Sequence, residues 1–168
     1  MLETDRLKFK PLNSKYEKDL EKLFCKNHLV MKTALKGRVF TKNEFKKILK
    51  EDFIKSETDQ VGFWCLTSGS EDRLIGITGL LKCNYLNRDN YEFGFILDDN
   101  NWGKGLATEI GQFWLDYAKN EMNLTELIAT VSPENIRSRK VLEKLKMEYV
   151  SEFELSERGN RLIFRKSL

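Results

Sequence analysis

A single histidine, His28, serves the whole chain of 168 residues. With one imidazole, no histidine cluster can hold a metal ion, and a Ser-His-Asp triad exists only if His28 belongs to it. Cysteine is scarce as well: Cys25, Cys65 and Cys83 stand alone, odd in number and without a C-x-x-C pair. That argues against a zinc site or a disulfide framework and fits a reducing compartment. No apolar run is long enough to cross a membrane. The opening residues, MLETDRLKFKPL, carry charges where a secretory leader would have its apolar stretch. Excess charge of one sign is missing too. Against 29 Lys+Arg stand 26 Asp+Glu, a net of +3 that is too small to predict a nucleic-acid surface. Basic runs such as Lys46-Lys47 and Arg137–Lys140 read as solvated helix faces. The expectation is a cytoplasmic protein with no metal and no membrane or nucleic-acid partner.

What is present is a chain both charged (33%) and apolar (40%), sized for one domain over residues 1–168 with a substantial core. Leu7 and Phe9 alternate with charged residues as a first strand ended by Pro11. Asn13 or Ser14 can cap a helix whose stripe is Tyr16, Leu20, Leu23 and Phe24. Residues 27–40 read as irregular. Thr41-Lys42-Asn43-Glu44 matches a capping box before Phe45, Ile48, Leu49 and Phe53. Strands follow at Val61–Thr67 and Arg73–Cys83, joined by a turn at 68–72, with Gly76 and Gly79 marking a bend or close backbone contact. Asn84–Asn90 reads as a connection. Further on, Leu127–Val131 is a short buried strand, and Ser132-Pro133 predicts a helix start with Ile136, Val141, Leu142 and Leu145 on its apolar side. Tyr149–Leu155 and Arg161–Lys166 form a closing hairpin around residues 157–160. The order is β-α-α-β-β-β-α-β-α-β-β: an α/β domain with a mixed central sheet.

The stretch from Tyr91 to Tyr117 organises the rest. Tyr91, Phe93, Phe95 and Leu97 alternate with Glu92, Gly94 and Ile96 as a strand. Asp98–Asn101 breaks it, and after Trp102-Gly103-Lys104-Gly105 a helical stripe begins at Leu106 and runs through Ile110, Phe113, Trp114 and Tyr117. A strand, a glycine loop and a helix start make an anion site, because first-turn N–H groups lack helical partners and glycine admits a ligand to the backbone. The loop is neither a Walker sequence nor a dinucleotide fingerprint, since Thr108 stands where the latter needs its third small residue. Two glycines that merely tighten a turn are the plain alternative.

The motifs of the second half decide between them. Phe93-Gly94-Phe95-Ile96, Trp102–Glu109, Pro133–Ser138 and Val141–Leu145 together resemble the GNAT superfamily of acetyl-CoA-dependent N-acetyltransferases. Leu2–Leu7 (LETDRL) looks like the opening of its RimJ/RimL-type branch. The chain departs from the family pattern twice: Trp102 stands where Gln or Arg is usual, and Leu145-Lys146-Met147 replaces Leu-Gly-Phe. The resemblance implies that Gly103, Lys104, Gly105, Leu106, Ala107 and Thr108 hold the CoA pyrophosphate, with Trp102 beside them. It implies that the backbone of Ile96 and Leu97 pairs with the pantetheine arm in a gap between the central strand and Leu127–Val131. Asn135 is then a further contact, and Arg139 or Lys140 lies near phosphate.

Acetyl transfer to an amine needs a base for the ammonium proton and a donor for the departing thiolate. Glu92, ten positions before Trp102, is the candidate base; the plain alternative is a strand glutamate facing solvent. Ser138 is the candidate donor; the plain alternative is a helix serine bonded to its own backbone. A ping-pong route through Cys65 or Cys83 lacks an evident activator, so direct attack in a ternary complex is expected. The partners implied are acetyl-CoA and a primary amine, on a protein N-terminus or a small molecule, in a monomer or homodimer. A non-catalytic acyl-CoA-binding module of the same fold is the alternative.

Overall fold

Seven strands, hydrogen-bonded in the order β1-β2-β3-β4-β5-β7-β6, form one sheet through the described residues, which are 2–58, 60–68, 72–85, 87–155 and 158–168 of the computed structural model. They are β1 Leu7–Lys10, β2 Gly62–Ser68, β3 Leu74–Tyr85, β4 Arg88–Leu97, β5 Glu126–Val131, β6 Glu148–Leu155 and β7 Gly159–Ser167. All neighbours are antiparallel except β4 and β5, which run parallel. The expected α/β architecture and element order stand, with one addition. Residues 27–40, read as irregular, contain a one-turn helix α2 (His28–Met31), because the Asn27 side chain accepts from Val30 N and caps it.

Helices cover both faces, and strand alternation divides the core accordingly. Phe93 and Leu97 of β4 pack with Leu106, Ile110 and Trp114 of α4 (Leu106–Asn120) and Leu142 of α5 (Ile136–Lys144). Ile96 faces the other way, toward Leu20 and Phe24 of α1 (Glu17–Lys26) and Phe45 and Ile48 of α3 (Lys42–Glu51). The capping box at Thr41 forms in both directions: Glu44 N donates to Thr41 Oγ1, and Thr41 N to the Glu44 carboxylate. Gly79 marks a close backbone contact, since a Cβ there would lie 1.9 Å from the Gly62 carbonyl oxygen. Among the described residues no helix is long and apolar enough to cross a membrane.

Three local expectations are corrected. Asn84, Tyr85 and Arg88–Asn90 are not a connection but the paired end of the β3–β4 hairpin, in register at Asn84–Asp89 and Tyr85–Arg88 and held by an Asn84–Asp89 side-chain bond, while Leu86 lies outside the described residues. The cap of helix α5 lies three residues after Ser132. Asn135 is that cap and accepts from Ser138 N at 3.1 Å, while the Ser132 carbonyl only closes the preceding turn. Ile136 therefore opens the helix on its outer side and is 60% exposed. Of the expected turns, Gly69–Glu71 and Glu157 lie outside the described residues.

Candidate active site

The parallel pair β4–β5 is where the sheet opens. Glu92 and Ile128 are in register, and no pair follows them toward Leu97 among the described residues. A cleft of about 660 Å³ lies there, walled by Phe95–Leu97, by Val30, Thr33 and Ala34 from α2 and the loop after it, and by the starts of α4 and α5. The direction of the β4 peptides follows from two contacts. Thr78 Oγ1 donates to the Gly94 carbonyl at 2.7 Å, and a Cβ on Gly76 would sit 2.2 Å from the Ile96 carbonyl oxygen. Gly94 and Ile96 thus point their carbonyls at β3. By alternation, Phe95 and Leu97 present theirs to the opening. The Leu97 carbonyl is taken by Trp102 Nε1 at 3.0 Å. Phe95, unmarked in the sequence reading, is the residue whose peptide groups face the gap, and Ile96 contributes its side chain.

The glycine loop is an anion cradle by conformation. Gly103 and Gly105 have φ of 75° and 78°, in the left-handed region, with Lys104 between them. Such alternation turns successive N–H groups toward one concavity. Gly105 is the N-cap of α4 and offers no side-chain cap. The Thr108 and Glu109 N–H groups turn back to the Gly105 carbonyl, so those of Leu106 and Ala107 have no helical acceptor. Gly103, Gly105, Leu106, Ala107 and Thr108 all line the cleft with Trp102. Lys104 does not; its carbonyl faces Arg6 instead. Arg137, Lys140 and Lys144 of α5 bring three cations to the same cleft, against the single carboxylate of Asp99, which accepts from Asn27. Arg137 stacks over the Trp102 ring at 4.7 Å. Arg139 is not in this wall, and Arg137 and Lys144 take the place expected of it.

The loop is fastened from behind by residues that sequence reasoning missed. Arg6 Nη1 donates to the Lys104 carbonyl at 2.8 Å, and Arg6 Nε to the Glu109 carboxylate at 2.6 Å. Thr4 Oγ1 donates to the other Glu109 oxygen. Burial works to raise the Glu109 pKa, but the hydrogen bonds from Thr4 and Arg6 outweigh it and hold the carboxyl below its ordinary range. The LETDRL run was the available signal; its physical role as a brace across about a hundred residues of chain was not visible.

Asn135 and Ser138 also line the cleft. Glu92 does not. It is buried on the face of β4 opposite Phe93, two residues from Gly94, where a side chain would meet nothing within 4 Å. That open space lies between Glu92 and Ile96, which stand about 13 Å apart along the strand. Tyr85 OH donates to Glu92 Oε2 at 3.0 Å, Thr130 Oγ1 donates to Oε1, and Arg158 Nη1 stands 3.8 Å away. Cys65 and Cys83 are outside the cleft, and burial pushes both thiols up to about 12. Among the described residues no group of three His, Cys, Asp or Glu is placed to hold a metal.

Comparison with known proteins agrees with this geometry. The family model for the acetyltransferase (GNAT) domain matches residues 6–148. A protein of Bacillus subtilis (strain 168), uncharacterized N-acetyltransferase YnaD, is 36% identical over 118 residues, 70% of this chain and 65% of its own. The chain spans about half the length of other curated relatives it matches. Among solved structures, a GNAT-family acetyltransferase from Bacillus anthracis superposes with a TM-score of 0.79 at 22% identity, covering 99% of this chain and 97% of that one. A ribosomal-protein-S5-alanine acetyltransferase from Vibrio fischeri has a TM-score of 0.71 at 16% identity, covering 99% and 95%.

Proposed function

Because the chain belongs to the GNAT acetyltransferase family, we propose that it is an acetyl-CoA-dependent N-acetyltransferase of the RimJ/RimL-like type, acting on a primary amine by direct attack in a ternary complex. The observation that carries this reading is the union of an amide-lined loop and three cations with a parting of β4 from β5 in one cleft. The free N–H groups of Gly103 to Ala107 suit a pyrophosphate, and Arg137, Lys140 and Lys144 suit the remaining phosphate charge. The gap-facing peptide of Phe95 suits an arm that carries amides of its own, and Asn135 lies along the same wall. Bound acetyl-CoA supplies an activated acetyl thioester.

The chain's own residues then have to orient the amine and move protons. Glu92 accepts the ammonium proton across the open space over Gly94, through water. Tyr85 and Thr130 hold its carboxylate in place. Ser138, in the first turn of α5, donates to sulfur as the thiolate leaves. Cys65 and Cys83 stay out of the chemistry, since thiols held near 12 carry little thiolate at neutral pH.

The test is to titrate acetyl-CoA by calorimetry and then follow free thiol across a panel of amines. An enzyme releases thiol only with an acceptor present. A protein that binds acetyl-CoA and releases none with any amine is a binding module. Ser138→Ala should lower kcat by about tenfold or more with CoA affinity held, because sulfur becomes anionic only as the reaction proceeds. A loss confined to affinity would make Ser138 a binding residue.

A further inference from the structure

The face of the sheet that carries Glu92 holds two guanidinium groups near a single carboxylate. Arg161 of β7 is 3% exposed. Of its five donors, one is accounted for: Nη2 donates to the Leu35 carbonyl, and Nε is buried without a partner. Arg158, at the start of the same hairpin arm, also has a buried Nε without a partner, and its Nη2 reaches Thr130 Oγ1 at the outer limit of 3.5 Å. Against these two guanidinium groups stands one carboxylate, Glu92, whose oxygens are already shared with Tyr85 and Thr130. Burying an arginine with most of its fork unmatched is costly, and a planar anion that accepts two parallel N–H bonds is what such a fork fits.

The position matters as much as the charge. The Leu35 carbonyl that Arg161 grips follows directly on Thr33 and Ala34, which wall the cleft. The empty space over Gly94 lies on the same face of β4 as Glu92. An amine that enters over Gly94 toward the cleft therefore has Glu92 beside it and the two arginines behind.

We propose that the acceptor is a carboxylate-bearing amine, whose ammonium faces Glu92 while its carboxylate is bound by Arg161 and Arg158. This rests on the acetyltransferase reading and narrows it. A polyamine, cationic at both ends, would meet two guanidinium groups for one carboxylate and is disfavoured. The carboxylate has two sources, a free amino acid or an acidic peptide N-terminus, and the same chemistry serves both.

The test uses matched pairs that differ only in that charge. L-alanine is set against L-alaninamide for the free amino acid, and aspartyl-alaninamide against asparaginyl-alaninamide for the peptide, with spermidine as the polycation. Binding to the CoA-loaded protein and thiol release from acetyl-CoA are both read. In at least one pair the acid should be favoured by about tenfold or more, as expected for a charged hydrogen-bonded pair, and the pair that shows it identifies the source. Arg161→Gln should erase the preference with CoA affinity held. Should that variant not fold, Arg158→Gln, at a side chain 26% exposed, makes the same test. Equal handling of acid and amide in both pairs, preference for spermidine, or a preference that survives both substitutions would overturn the proposal. Failure of the transferase reading looks different: no thiol release with any amine, while the acid-over-amide difference in binding still reports on the arginines.

Discussion

The glycine loop offers the cleft mostly backbone groups; the cluster around Glu92, beyond the cleft wall, is made of side chains. The loop from Gly103 to Ala107 presents N–H groups through two left-handed glycines and a helix start, all within a few consecutive residues. The Glu92 cluster brings Tyr85 from β3, Glu92 from β4, Thr130 from β5 and Arg158 from the last hairpin to one place, with Arg161 of that hairpin on the same face of the sheet. The first kind of site is written locally, so a glycine spacing and a helical stripe reveal it. The second exists only after the sheet has formed, and no periodicity in the chain announces it. Function divides accordingly: a backbone cradle suits a ligand that stays constant, and a side-chain cluster can be altered one residue at a time.

The largest effect is expected at Glu92. Glu92→Gln keeps the side chain's shape and one of the two bonds accepted from Tyr85 and Thr130, since an amide has a single acceptor oxygen, and it removes the base. Turnover should fall by about 10²–10⁴-fold and recover in part at high pH, where the acceptor amine is already neutral. CoA affinity should hold. Wild-type turnover in Glu92→Gln from acid to alkaline pH would mean that the base lies elsewhere, and that Glu92 only positions the cluster.

Gly105→Val attacks the glycine loop. Space is not the obstacle, since the nearest atom to an added Cβ is Arg6 Nη2 at 3.7 Å. The obstacle is φ of 78°, which a β-branched residue adopts only under strain of roughly 1–3 kcal/mol. CoA affinity should fall by about a hundredfold with the fold intact by circular dichroism. Undiminished affinity in a folded variant would remove the loop from the site.

How far the chain was legible follows the same division. The fold, the glycine loop and the Thr41 capping box rest on local patterns, and each stands where its pattern put it; Ser138, singled out by the resemblance, lines the cleft. The start of α5 was misplaced because Ser132-Pro133 satisfies a local rule that Asn135 satisfies better, with its side chain on Ser138 N. Asn84, Asp89 and Asn90 looked like part of a connection because Asn and Asp favour turns, yet cross-strand pairing absorbs them into the hairpin. Arg161 falls within the expected closing hairpin, and only the folded sheet buries it.

The brace behind the loop tests whether the backbone cradle depends on distant side chains after all. Arg6→Ala frees the Lys104 carbonyl and leaves Glu109 with Thr4 and the backbone N–H of residue 6. A loss of about tenfold in CoA affinity is expected, in line with one charge-assisted contact. Acid should do the same to the native protein. The Glu109 pKa is depressed in the folded state, so its contribution is present above the ordinary carboxylate range, near 4.3, and is lost as pH falls through the lowered value. Calorimetry of CoA binding against pH, native against Glu109→Gln, should show the two converge only in acid. Parallel curves would leave Glu109 without a role in the loop.

The smallest effect concerns a residue that departs from the family pattern while the backbone does not. Lys146 has φ of 57° at the end of α5. Its N–H donates to the Glu143 carbonyl, and Met147 N donates to that of Leu142, the double bond of a helix stop in which glycine is customary. The chain thus keeps the conformation and bears a side chain in it, at a cost of about 1 kcal/mol for a non-glycine residue in the left-handed region. Lys146→Gly should recover most of that, less the entropy that glycine restores to the unfolded chain, and should raise Tm by a few degrees. The bond from Lys166 Nζ is to the Lys146 carbonyl and survives the change. CoA affinity should not move, because Lys146 lies outside the cleft wall. A lower Tm would mean that the lysine stem stabilises by packing more than its backbone costs, and the departure would then be an adaptation of the helix exit rather than a tolerated strain.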